Sequence, residues 1–165
     1  MLPFHSLVNI IKEAVMSQHY ERIMIAVDGS YESELAFEKG VNVALRNKAE
    51  LILTHVIDTR ALQSIATFDT YIYEQLEEEA KGVLEGFEKK AHERGIEKVK
   101  QVIEFGNPKT LLAHDIPDKE KVDLIMVGAT GLNTFERLLI GSSSEYIMRH
   151  AKVDLLVVRD SQKTF

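Results

Sequence analysis

Five short runs rich in β-branched residues alternate with segments of helical period along the chain, and this alternation limits the fold more than any other feature. Residues 22–27 (RIMIAV), 50–57 (ELILTHVI), 98–105 (KVKQVIEF), 123–127 (DLIMV) and 154–159 (DLLVVR) read as strands. Between the first two, Leu35, Ala36, Gly40, Val43 and Ala44 mark one face of a helix. A longer helix follows the second strand, carried by Tyr73, Leu76, Ala80, Val83, Leu84, Phe87 and Ala91 and stopped at Gly95. Asn107-Pro108 caps and opens a short helix expected to end before Pro117, and 142–150 forms the last helix. Strands joined by helical crossovers pair in parallel, with helices on both faces. The expected fold is therefore α/β: a single doubly wound five-stranded parallel sheet.

A chain of 165 residues matches one domain with one core, and it contains no internal repeat, low-complexity tract or linker. Residues 1–17 read as an N-terminal accessory helix or extension ahead of a domain spanning 18–165. In that extension Leu7, Ile10, Ile11, Ala14 and Val15 recur at helical spacing, with Ser6 as N-cap. It has no basic start, and Ser6, Asn9, Lys12 and Glu13 interrupt its apolar stretch, so it is a poor signal peptide. The expected arrangement is packing on the domain; a membrane-surface helix or partner arm is the alternative. The connection 58–70 is long for such folds and carries Leu62, Ile65 and Phe68, with Tyr71 just beyond it. It is expected to be a partly helical flap.

Composition removes several functions. Without cysteine there is no disulfide, thiolate zinc site or thiol nucleophile. A net charge of −6 argues against nucleic acid as partner, since phosphate backbones are bound by clustered Lys and Arg. No apolar run has the length to cross a bilayer, so no membrane partner is expected. An anion held here must be held locally.

The segment after the fourth strand, VGATGLNTFERLLIGSSSEYIMRH, supplies a place for one. Gly128 ends the strand, Gly131 follows, and Gly141-Ser142-Ser143-Ser144 opens the last helix. The first N–H groups of a helix lack intrahelical acceptors, and the helix dipole adds partial positive charge there, so an anion is stabilised without lysine. Gly128 and Gly131 are read as removing Cβ atoms that would keep a phosphate off the backbone, and Gly141 as permitting the turn into the helix. The alternative is that the glycines only serve turns and Ser142 is a plain N-cap. The P-loop G-x-x-x-x-G-K-[ST] and the dinucleotide G-x-G-x-x-G are both missing.

The spacing G-x2-G-x9-G-[ST], with Val27-Asp28-Gly29-Ser30 after the first strand, resembles the universal stress protein family in its ATP-binding form, from about Met16 onward. The resemblance implies a sheet of order 3-2-1-4-5. It implies that Asp28 contacts the adenosine, that Val56 meets the adenine through its backbone, and that Val127 lines the base pocket. Gly128, Gly131, Gly141, Ser142, Ser143 and Ser144 would hold ribose and phosphates. The implied ligand is ATP (or AMP or ADP) with Mg²⁺ at the phosphates, and the implied assembly is a cytoplasmic homodimer through the fifth strand. That strand order puts the first and fourth strands side by side at the switch point, bringing Asp28 and Gly128 to one crevice. Asp28 as a plain N-cap of the first helix is the competing role.

Other candidates carry less. The six histidines show no H-x3-H or HExxH spacing. His114-Asp115 is read as a surface pair and His55 as a satisfied strand residue. The serine triplet lacks the G-x-S-x-G of a nucleophile elbow. Arg137 either reaches the phosphates or lies on the surface, and Phe135, Leu138, Leu139 and Ile140 are expected to pack on the sheet edge or a second subunit. Leu155, Leu156, Val157 and Val158 make an apolar edge strand that invites pairing, unless the N-terminal helix covers it. The expected function is a nucleotide-dependent regulatory module in stress response with at most slow ATP hydrolysis. A nucleotide hydrolase or phosphotransferase on the same fold, and an interaction protein with an empty loop, are the alternatives.

Overall fold

A computed structural model describes residues 3–16, 19–60, 62, 70–130 and 140–160, with 11–16 described by backbone alone. Five parallel strands form one sheet: β1 (Arg22–Ala26), β2 (Glu50–Asp58), β3 (Val99–Gly106), β4 (Leu124–Gly128) and β5 (Asp154–Val158). Their order is β3-β2-β1-β4-β5, as expected. Register follows from matched apolar runs: Ile23 pairs with Leu51 on one side and Leu124 on the other, and Gly128 pairs with Val158.

Alternation along each strand feeds two cores. On one face Ile23, Ile25, Leu51, Leu53, Leu124 and Met126 pack with Phe37, Val41 and Ala44 of α2 (Tyr31–Asn47) and Leu84 and Ala91 of α3 (Thr70–Glu93). Phe37 and Phe87 lock these two helices together with ring centroids 4.8 Å apart. On the other face Met24, Ile52, Ile125 and Val127 pack with Leu112, Ala113 and Ile116, and with Ile147 of α6 (Ser142–His150).

The segment after β3 departs from expectation. Its helix does not end before Pro117. It begins as α4 (Pro108–Thr110), widens into a π-helical turn (Leu111–Asp115) and continues as α5 (Ile116–Glu120). Proline cannot donate and its ring collides with the carbonyl four residues back. The π turn, in which Ile116 N–H reaches the Leu111 carbonyl, absorbs that misfit and lets the helix run through. Asn107 caps the start as expected, accepting from Lys109 N–H at 3.1 Å.

The N-terminal helix α1 (Phe4–Met16) forms, but Ser6 does not cap it. Ser6 N–H donates to the Pro3 carbonyl at 2.8 Å, so the helix starts about one turn earlier, with Pro3 in place of Ser6 just ahead of its first residue. Phe4, Leu7 and Ile10 are exposed. Of the 58–70 connection, Thr59 and Arg60 form a turn and Leu62 N–H donates to the Thr59 carbonyl. Ile65 and Phe68 lie outside the described residues.

Candidate functional site

Because β1 lies between β2 and β4, the loops after β1 and β4 leave in opposite directions and a crevice opens at their carboxyl ends. A cleft of about 340 Å³ occupies it, within the size range of small-molecule sites. Asp28, Val56, Val127, Gly128, Gly141, Ser142, Ser143 and Ser144 all line this cleft, although they come from four separate stretches of chain. Gly131, Phe135, Arg137, Leu138 and Leu139 lie outside the described residues.

The β1 side is a hydrogen-bonded turn. Asp28 Oδ1 accepts from Ser30 N–H at 2.9 Å, and Gly29 between them takes φ +79°, a conformation that disfavours a side chain. Ser30, not Asp28, caps α2: its Oγ accepts from Ser33 N–H at 3.1 Å. The capping reading of Asp28 is thereby overturned. Its carboxylate sits two residues upstream, where it shapes the turn and borders the cleft. Ser33 Oγ closes the unit by donating to the Ser30 carbonyl at 2.9 Å.

On the β4 side Gly128 and Gly141 act differently from expectation. A Cβ on Gly128 would lie 2.7 Å from the carbonyl carbon of Glu32, so this glycine is required by the close approach of α2. Gly141 has φ −58°, open to any residue, and it is the N-cap of α6, with Ser142 already in the first turn. A glycine cap has no side chain to satisfy the helix's first N–H groups. Those of Ser142, Ser143 and Ser144 therefore lie at the positive end of the dipole with no side-chain cap among the described residues. Gly141 N–H donates to the Ala129 carbonyl at 2.7 Å, and Ser144 Oγ donates to the Gly128 carbonyl at 2.9 Å. These two bonds clamp the start of α6 to the end of β4. The single Ser144 hydroxyl hydrogen is spent on the scaffold, so its side chain positions the site rather than donating into it.

Sequence reasoning missed several lining residues. Asp58 and Arg60 stand at the end of β2, joined by Nε to Oδ1 at 2.8 Å and Nη2 to Oδ2 at 2.6 Å. This bonding holds the Asp58 carboxyl below the usual carboxylate range, against a smaller opposing effect of desolvation. Arg60 is the one basic residue among the described residues lining the cleft. Thr54 was also missed, although it is the lone hydroxyl in the strand run LILTHVI. The apolar floor comes from Ala26, Val56, Leu112, Val127 and Ile147.

His55 is bonded as expected: its Nδ1 donates to the Val27 carbonyl at 2.7 Å, pinning β2 to the end of β1. His114 lies away from the cleft, its ring edge-on to Tyr146 with centroids 6.4 Å apart. The cleft thus joins an apolar floor, a carboxylate turn and an uncapped helix N-terminus, an arrangement able to hold a flat ring and an anionic tail together.

Comparison with known proteins identifies the family and its fold. The model of the universal stress protein family matches residues 19–159. Protein SH1215 of Staphylococcus haemolyticus, itself assigned to the universal stress proteins, is 42% identical over 143 residues, 87% of each chain. Among solved structures, hypothetical protein MJ0577 is similar with TM-score 0.79 and 30% identity, covering 87% of this chain and 99% of its own. UspA from Lactobacillus plantarum is similar with TM-score 0.71 and 27% identity, covering 87% and 100%. A universal stress protein in complex with cAMP is similar with TM-score 0.62 and 25% identity, covering 86% and 98%.

Proposed function

The chain belongs to the universal stress protein family, and from that premise we propose that it is an adenine-nucleotide-binding regulatory module. It holds ATP, with Mg²⁺ at the phosphates, in the cleft between β1 and β4. The observation that carries this reading is the meeting of Asp28 and the uncapped N-terminus of α6 over one apolar floor. The base lies on Val56 and Val127, the ribose near Asp28, and the phosphates against Gly128, Gly131 and 141–144. That a structurally similar family member is in complex with cAMP supports an adenine nucleotide as the ligand class.

Hard oxygen donors suit Mg²⁺, and the Asp28 carboxylate with the Ser142 and Ser143 hydroxyls supplies them at the cleft rim. When bound, the ion offsets the repulsion between phosphates and the two carboxylates nearby. Holding is favoured over cleaving, because no lysine lines the cleft among the described residues and the Asp58 carboxylate is already paired with Arg60. A positioned base or arginine finger is what fast phosphoryl transfer uses. Leu156, on the β5 edge, is exposed and suits pairing of two copies through that strand in the cytoplasm.

Calorimetric titration with ATP, AMP and cAMP tests the reading, alongside a turnover assay in Mg²⁺. Saturable binding of an adenine nucleotide is expected. No heat from any of them refutes nucleotide binding, and a kcat near the typical enzyme value of about 10 s⁻¹ refutes the module in favour of a hydrolase.

A further inference from the structure

Thr54 stands in β2 on the floor of the cleft, on the same face of the sheet as its register partner Ala26. It is 1% exposed, and its hydroxyl has no hydrogen-bond partner among the described residues. Its backbone is in order, since the carbonyl accepts from Val27 N–H at 2.8 Å. A buried hydroxyl left unpaired costs free energy that valine, with the same shape, would not. Among the described residues the other buried unpaired side-chain atom, Arg22 Nε, belongs to a guanidinium already paired with Glu50 at 2.7 Å. Thr54 has no second polar atom to share the cost.

We propose that Thr54 is a specificity-determining residue: its hydroxyl donates a hydrogen bond to a ring nitrogen of a purine base seated on the apolar floor. The inference rests on the nucleotide reading above and goes beyond it by naming what reads the ring. The polar groups of the cleft, Asp28, Ser30 and the serines of α6, cluster at the strand ends, where sugar and phosphates would lie. Thr54 sits between its register partners Ala26 and Val102, and the rest of the floor is Val56, Leu112 and Val127, whose side chains offer a hydroxyl nothing to bond. A heteroaromatic ring meets both requirements at once. Its faces lie on aliphatic side chains while an in-plane lone pair accepts the O–H. A site built around such a bond rejects analogues that lack the acceptor.

The test is calorimetric titration of wild type, Thr54→Val and Thr54→Ser with ATP, CTP and the 1-, 3- and 7-deaza analogues of ATP. Thr54→Val is expected to weaken ATP binding about tenfold, with the melting temperature of the free protein unchanged or raised. Thr54→Ser keeps the hydroxyl and stays within about threefold of wild type. One deaza analogue should lose about the same tenfold on wild type and nothing further on Thr54→Val, identifying the accepting nitrogen. Equal ATP affinity of wild type and Thr54→Val overturns the inference. So does a deaza series without coupling to position 54, tighter binding of CTP than ATP, or a lowered melting temperature in Thr54→Val, which would mark a structural hydroxyl. No heat from wild type with any nucleotide overturns the nucleotide reading itself, a different result from a bound ATP indifferent to Thr54.

Discussion

Replacing Gly128 by alanine separates two explanations of the same glycine. If it is there to admit a phosphate, a methyl should harm binding and leave the free protein alone. The structure says otherwise: the new Cβ would lie 2.7 Å from the carbonyl carbon of Glu32, 2.8 Å from its Cβ and 2.9 Å from its carbonyl oxygen. Carbon atoms settle at about 3.5–4.0 Å, so α2 would have to retreat by roughly 1 Å. Two of the three obstructing atoms are backbone, and no change of rotamer moves them. Retreat is opposed by the Ser30 cap and the Asp28 turn that fix the start of this helix. Overpacking of this kind costs about 1–3 kcal/mol, and for a chain of this length each kcal/mol lowers the melting temperature by about 2–4 °C. Thermal unfolding of Gly128→Ala without nucleotide should therefore show a fall of about 2–12 °C. A melting temperature equal to wild type, whatever happens to ligand affinity, would refute the packing argument.

Two further outcomes follow from the same geometry. Ser144→Ala removes the donor to the Gly128 carbonyl and should lower the urea midpoint by the equivalent of about 1 kcal/mol, with an unchanged m-value. Arg60→Ala should raise the Asp58 titration, followed by carboxyl-carbon NMR, into the usual carboxylate range, because the guanidinium bond is what lowers it. The sign is that of a depressed acid: the pair's contribution is present above the unfolded-state value of about 3.9 and is lost as pH falls through the lower folded value. Asp58 is 36% exposed, so the effect on acid unfolding should be small.

The expected strands each fall within one residue of the observed ends, because hydrophobic period is a property of neighbouring residues; the sheet order, which the family resemblance implied, also matches. Errors cluster where a local signal competes with a wider one. Pro117 looked like a stop, yet Leu112, Ala113 and Ile116 bury against the sheet strongly enough that the helix changes pitch rather than ends. Ser6 had the chemistry of a cap, but Pro3 offered its carbonyl one turn earlier. Asp28 and Ser30 are both plausible caps by residue type, and only the turn through Gly29 decides that Ser30 serves α2.

By itself the sequence determined an α/β chain and singled out the glycine- and serine-rich segment after the fourth strand, because strand period, helix period and glycine spacing are written within a few residues. Tertiary structure alone decided why Gly128 has no side chain, since Glu32 meets it only once α2 has docked. It alone brought Asp58-Arg60 and the unpaired Thr54 hydroxyl to the cleft that Asp28 and the α6 serines share. These are consequences of strand pairing and helix docking between segments far apart in the chain, and no local window of residues contains them.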